Sequence, residues 1–151
     1  MNFRSEEAGK LIVDKVEGEA FIFHHIGYCV PSLKQAARDL VMFGFCLKGG
    51  VVKDHMRRVE IQLLGCSGMR FLELVAPLGT DSPISSILGR SGPMGYHVCF
   101  EVLDMDLAID KLRQAKYKII QKRSPAIAFA GRDVAFLYNS DLGLIELLSV
   151  N

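Results

Sequence analysis

The chain repeats itself, and that repeat limits the folds open to it more than any other feature. His25 and His97 lie 72 residues apart, and Glu73 and Glu146 lie 73 apart. Each histidine sits early in a run rich in β-branched and aromatic residues, HHIGYCV and YHVCFEV, and each glutamate sits in a closing string, LELV and IELL. The His-to-Glu spacing is 48 in the first half and 49 in the second. Self-similarity at a fixed period signals copies of one supersecondary unit that build a shared core.

Local patterns say what the unit is. Phe21 to Val30 reads as a strand stopped by Pro31, which cannot donate to a ladder. A helix follows: Ser32 and Gln35 have capping-box spacing, Leu33, Ala36, Ala37, Leu40 and Val41 recur at helical intervals, and Gly44 ends it. Three strands come next, Phe45 to about Lys53, Val59 to Cys66 and Met69 to Ala76, with a Ser67-Gly68 turn joining the last two. Pro77 to Pro93 reads as a linker with one short helix from about Ile84 to Leu88.

The order then starts again. Tyr96 to Leu103 is a strand, Asp104 caps a helix carrying Leu107, Ala108, Ile109, Leu112 and Ala115, and Tyr117 to Lys122, Asp133 to Tyr138 and Leu144 to Val150 are strands. The sequence therefore predicts an α+β fold in which β-α-β-β-β occurs twice. Residues 1–20 are read as an amino-terminal arm and 21–151 as a single domain, with module one at about 21–78 and module two at about 94–150.

Composition narrows the function classes. Lys and Arg number 18 against 17 Asp and Glu, a formal charge of +1, and the charges are scattered, so no basic patch marks a nucleic-acid or anionic-membrane partner. The longest apolar runs fall short of the ~20 residues of a membrane helix. The amino terminus alternates charged and apolar residues, unlike a signal peptide, and Cys29, Cys46, Cys66 and Cys99 are dispersed without a CxxC pair. These features lead us to expect a cytoplasmic protein with reduced thiols.

Two imidazoles and two carboxylates form a candidate site for one divalent metal of intermediate hardness, such as Co, Ni, Zn or Mn. A lone His in an apolar strand is more often a core residue, and a lone Glu more often faces solvent. Here both glutamates sit in strands apolar on both faces, and a buried carboxylate needs a partner or a metal. Side-chain alternation puts Gly27, Cys29, Cys99 and Glu101 on the faces of the histidines. In the strand from Val59, Glu60 and Gln62 oppose Val59 and Ile61; if the apolar set meets a helix, Glu60 and Gln62 line a polar cavity. Arg57, beside Lys53 and Arg58, could grip a substrate carboxylate or phosphate. The segment from Arg123 to Arg132 could cover the cavity mouth.

The strings HHIGYCVPSL, FLELVAPLGTDSPI, GYHVCFEVLDMDLAIDKL and VAFLYNSDLGLIELL resemble the vicinal oxygen chelate superfamily, the group of glyoxalases, bleomycin resistance proteins and dioxygenases. Within it they look most like the methylmalonyl-CoA epimerase and glyoxalase-like branch, over roughly residues 22 to 149. The resemblance implies two βαβββ modules forming one curved, eight-stranded mixed sheet, with helices outside and a metal in the concave face. It places the ligands at His25, Glu73, His97 and Glu146, with His24 pointing outward, and it implies a homodimer.

The chemistry it implies is removal of a proton beside a metal-held carbonyl, with Glu146 or Glu73 as base. The substrate would be an acyl-CoA thioester or a hemithioacetal. The chain departs from the epimerase pattern in one place: Gly50, Val51 or Val52 stands where those enzymes carry an acid before the third strand. Asp54 is the only carboxylate nearby and His55 could serve as a base, although a solvated loop accounts for both. The alternatives are a glyoxalase of the lactoylglutathione lyase type and a drug-binding member without catalysis. A dioxygenase is disfavoured by the extra Glu73.

Overall fold

The computed structural model describes residues 21–66 and 69–151; the amino-terminal arm and the Ser67-Gly68 turn lie outside them. Module one runs β1 (Ile22–Cys29), α1 (Leu33–Met42), β2 (Cys46–Asp54), β3 (Val59–Cys66) and β4 (Met69–Pro77). Helix α2 (Pro83–Ser91) links it to module two: β5 (Met94–Val102), α3 (Met105–Gln114), β6 (Lys118–Pro125), β7 (Asp133–Asn139) and β8 (Gly143–Ser149). The eight strands make one sheet in the order β2-β3-β4-β1-β5-β8-β7-β6. This is the doubled β-α-β-β-β order read from the sequence.

The sheet is mixed because each module closes on its own first strand. β4 returns parallel to β1 and β8 returns parallel to β5, while β1 and β5 meet antiparallel at the module boundary. The two central strands thus carry the two histidines, and their parallel partners carry the two glutamates.

Helices α1 and α3 cover one face. Leu33 of α1 packs with Leu64 and Leu74, and Met105 and Ala108 of α3 pack with Leu137, Ile145 and Leu147. The two helix starts differ. Asp104 accepts a hydrogen bond from the Leu107 amide at 3.0 Å, as its sequence position indicates. Ser32 makes no side-chain cap, so the capping box expected with Gln35 is not formed. The turn at Pro31 and the burial of Leu33 set that helix start instead.

Across the inner face the far strands are tied together. The Arg57 guanidinium, in the β2–β3 turn, donates to the Ser124 hydroxyl at 2.7 Å and to the Pro125 carbonyl at 3.1 Å, at the end of β6. This strap curls the sheet around its inner face. The connection from β6 to β7 folds over that face as a 3-10 turn, Ile127–Phe129, which ends in left-handed Ala130 at φ 56°. It is the segment expected to cover the cavity mouth.

Candidate metal centre

The fold brings His25, Glu73, His97 and Glu146 to one point, one residue from each of the four central strands. All four are buried. His25 Nε2 lies 3.1 Å from His97 Nε2, 3.4 Å from Glu73 Oε2 and 3.1 Å from Glu146 Oε2; His97 Nε2 lies 3.4 and 3.2 Å from the same two oxygens. Atoms about 3.3 Å apart on a tetrahedron lie about 2.0 Å from its centre, the bond length of a zinc-like ion to imidazole nitrogen and carboxylate oxygen. Two carboxylates beside two neutral imidazoles also match the charge of a divalent cation.

The polar bookkeeping points the same way. Glu146 Oε2 and His97 Nδ1 are buried and complete no hydrogen bond among the described residues. Glu146 Oε2 faces the two imidazole Nε2 atoms at 3.1 and 3.2 Å, and a cation at the centre of the four atoms would satisfy it without the protons those contacts require. The donor set therefore fits the metal that the sequence implied.

Charge is balanced by protons when no cation is there. Burial works against the His25 imidazolium, but the adjacent Glu146 and Glu73 carboxylates outweigh it and push its pKa up to about 9. Burial would raise the Glu146 carboxyl, yet the two imidazoles hold it well below the usual carboxylate range. Burial, together with Glu146, pushes the Cys99 thiol far up, so it offers no thiolate to the neighbouring His24 and His25. Cys29 is likewise fully buried, among Val59, Ile61 and Val75.

A bulge in each central strand brings a second ring to the site. In the β1–β5 register Phe23 faces Phe100 and His25 faces Cys99, so His24 is the extra residue; Gly27 faces His97 and Tyr28 faces Gly95, so Tyr96 is the other. The bulge overturns the outward placement expected for His24. It is buried, its Nδ1 is 2.8 Å from His25 Nδ1, and its ring stands edge-on to Phe129. Burial, then the charge of His25, pushes its pKa down to about 4. Tyr96 packs edge-on against His97 with ring centres 4.5 Å apart, and burial raises its phenol pKa.

Gly27 is the residue that alternation marked without giving it a job. A Cβ there would stand 2.0 Å from His97 Cε1, so the second imidazole occupies the space a side chain would fill. Phe129 stacks on His25 at 5.5 Å and 23°, and Phe136 stands edge-on to His97. Neither aromatic ring was singled out from sequence, because each comes from a connection or strand whose pattern gives no metal-site signal.

The remaining candidates separate into those that face the site and those that do not. Val59 and Ile61, with Glu73, Glu146, Tyr96 and Phe129, line a small chamber of about 40 Å³ at the cluster. Glu60 and Gln62 therefore point the other way, into a groove under α1, and the expected polar lining is corrected. The alternation held, but its apolar half faces the site, since the inner face is itself a hydrophobic pocket. Glu101 shares the His97 face and pairs at 2.5 Å with Arg132, outside the chamber lining.

Asp54 is buried and lines the chamber, whereas His55 is exposed. Arg57 occupies both Asp54 oxygens, through its amide at 2.9 Å and Nη1 at 2.7 Å. With Ser124 and Pro125 also bound, Arg57 is a clamp at the mouth rather than a free anion grip. Beyond the chamber opens a cavity of about 690 Å³, which shares Arg57, Val59, Tyr96 and Phe136 with it.

Residues 24–136 match the family model of the Glyoxalase/Bleomycin resistance protein/Dioxygenase superfamily. The chain belongs to that superfamily. It is 37% identical over 130 residues to the ethylmalonyl-CoA/methylmalonyl-CoA epimerase of Cereibacter sphaeroides, covering 84% of this chain and 96% of that one. It is 39% identical over 127 residues to the mitochondrial methylmalonyl-CoA epimerase of Bos taurus, covering 82% and 71%. The crystal structure of methylmalonyl-CoA epimerase from Mycobacterium tuberculosis shares the fold, with a TM-score of 0.75 at 23% identity over 93% of each chain. A Streptomyces coelicolor methylmalonyl-CoA epimerase in complex with 2-nitronate-propionyl-CoA superposes with a TM-score of 0.73, 21% identity, 86% of this chain and 98% of that one.

Proposed function

We propose that the protein is a metal-dependent epimerase of 2-branched malonyl-CoA thioesters, with methylmalonyl-CoA as the test substrate. The observation that carries this reading is the buried His25, Glu73, His97 and Glu146 cluster, in a chain similar to named methylmalonyl-CoA epimerases along most of its length. The four residues would hold one divalent cation, with Co, Ni, Zn and Mn as the candidates. When bound, the cation supplies positive charge that offsets the negative charge developing beside a carbonyl as a proton leaves.

The chain's own residues supply the proton handling. Epimerisation needs a group to take the α-proton and a group to return one to the opposite face. Glu73 comes from module one and Glu146 from module two, so the doubled fold presents a carboxylate from each side of its pseudo-symmetry axis; these are the two proposed bases. Asp54, held on both oxygens by Arg57, is engaged in that clamp instead of replacing the acid absent at Gly50 to Val52. Tyr96, Phe129, Val59 and Ile61 exclude water around the reacting carbon.

The larger cavity supports the thioester assignment. Its wall includes Ile84, Ile87 and Ile120 beside Lys122, an apolar channel with a cation suited to a pantetheine arm and a CoA phosphate, while Arg58 and Arg123 of the same wall pair with Asp81 and Asp133. Four free thiols support a reducing compartment such as the cytoplasm. Exposed Val41 and Met42 of α1, Phe43 just after it, and Leu47 and Val51 of β2 support a homodimer.

The test is exchange in deuterated water. The metal-loaded protein should place deuterium at the α-carbon of methylmalonyl-CoA and interconvert its epimers, while leaving the hemithioacetal of methylglyoxal and glutathione unchanged. Turnover of the hemithioacetal without α-exchange of the thioester would replace this reading with the glyoxalase one.

A further inference from the structure

Each histidine of the cluster turns its Nε2 toward the centre, and the two differ in what holds the other ring nitrogen. His25 Nδ1 lies 2.8 Å from His24 Nδ1, whereas His97 Nδ1 completes no hydrogen bond among the described residues. The contact exists because the β1 bulge turns His24 inward beside its neighbour instead of across the sheet. Phe129 then fixes both rings, stacked on His25 and perpendicular to His24. The result is a buried imidazole pair whose geometry leaves His25 little freedom to rotate.

We propose that His24 is a positioning residue that accepts the Nδ1 proton of His25 and so presents the His25 Nε2 lone pair to the metal. Two nitrogens at 2.8 Å share one proton, and that proton decides the tautomer of His25. If His24 donated, the proton of neutral His25 would sit on Nε2 and point at the centre of the cluster. Only with the proton on His25 Nδ1 can Nε2 bind a cation, so His24 is the acceptor. A second residue that orients a ligating imidazole is worth about 10–100-fold in metal affinity. This inference rests on the metal-centre reading and extends it to a residue outside the four-ligand set.

The test uses the full chain and zinc. His24→Phe keeps the ring volume against Phe129 and removes the acceptor; His24→Asn keeps an amide oxygen where the imidazole places Nδ1. Zinc affinity, measured by competition with a chelator, should fall about 10–100-fold in His24→Phe and stay near wild type in His24→Asn. In zinc-loaded wild type labelled with 15N-histidine, a scalar coupling across the N–H···N contact should link the two Nδ1 atoms, with the proton on His25. Equal zinc affinity in wild type and a folded His24→Phe overturns the proposal, as does a His24 that carries the Nδ1 proton. Wild type that binds no zinc overturns the metal-centre reading as well, which separates the two failures.

Discussion

The two modules share one topology and reach the same point by different means. At the 72-residue offset His24 corresponds to Tyr96, Gly27 to Cys99 and Arg57 to Phe129. In module one a histidine is steadied by a histidine, a glycine makes room for the partner ring, and a short polar turn clamps the mouth. In module two a tyrosine lines the chamber, a buried thiol sits beside Glu146, and a longer apolar connection lays Phe129 over the site. Duplication supplied a symmetric cage, and the two halves then divided the work. Module one steadies His25 and makes room for His97, and module two lays Phe129 over the chamber.

The largest effect should come from breaking the Gly27–Cys99 difference. Gly27→Ala drives a methyl group into the His97 ring and should abolish one-to-one metal binding, whereas Cys99→Ala should retain it; zinc titration of both variants checks the pair. Equal behaviour would mean that the close approach of Gly27 to His97 does not matter. Next in size, Arg57→Ala takes the cation from buried Asp54, leaving it the backbone amide of residue 57, and opens the strap between the modules. It should cost about 3 kcal/mol in denaturant unfolding.

The pH dependence follows from His25. Its pKa is raised to about 9, so its proton contributes stability to the metal-free protein that is fully present below about pH 6.5, the unperturbed value. That stability is lost as pH rises through about 9. The same proton competes with the cation, so metal affinity should strengthen with rising pH up to about 9 and level off above it. Thermal melts of metal-free and loaded protein across this range check both statements; a flat affinity would show that His25 gives up no proton on binding. The smallest contrast is between the caps: Asp104→Ala should cost about 1 kcal/mol and Ser32→Ala no more than about 0.5 kcal/mol, since only Asp104 makes the bond.

Much of this was legible before any coordinates, for a physical reason. Strands and helices of a half-buried sheet follow hydrophobic period, and the His and Glu pairs sat at matched offsets, so the element order and the four-residue cluster could be read from spacing. What could not be read depends on breaks in period. The resemblance that puts His25 at the metal puts its neighbour His24 outward, and a one-residue bulge reverses that. From sequence, Glu60 and Gln62 line the site if the apolar set of their strand meets a helix. The inner face is apolar, and it takes Val59 and Ile61 instead. The sequence offers Arg57 as a grip for a substrate anion, but its partners Ser124 and Pro125 lie far along the chain, where no local pattern announces them.

The central claim is that one divalent cation sits where the two halves meet, held by two residues from each. Elemental analysis of protein purified without a metal-affinity tag, beside His25→Ala, Glu73→Gln, His97→Ala and Glu146→Gln, tests it most directly. The account predicts about one ion per chain in the wild type and a loss in every variant, whichever module carries the change. No ion in the wild type, even after titration with Co, Ni, Zn and Mn, would contradict it, and so would an ion fully retained in any of the four variants.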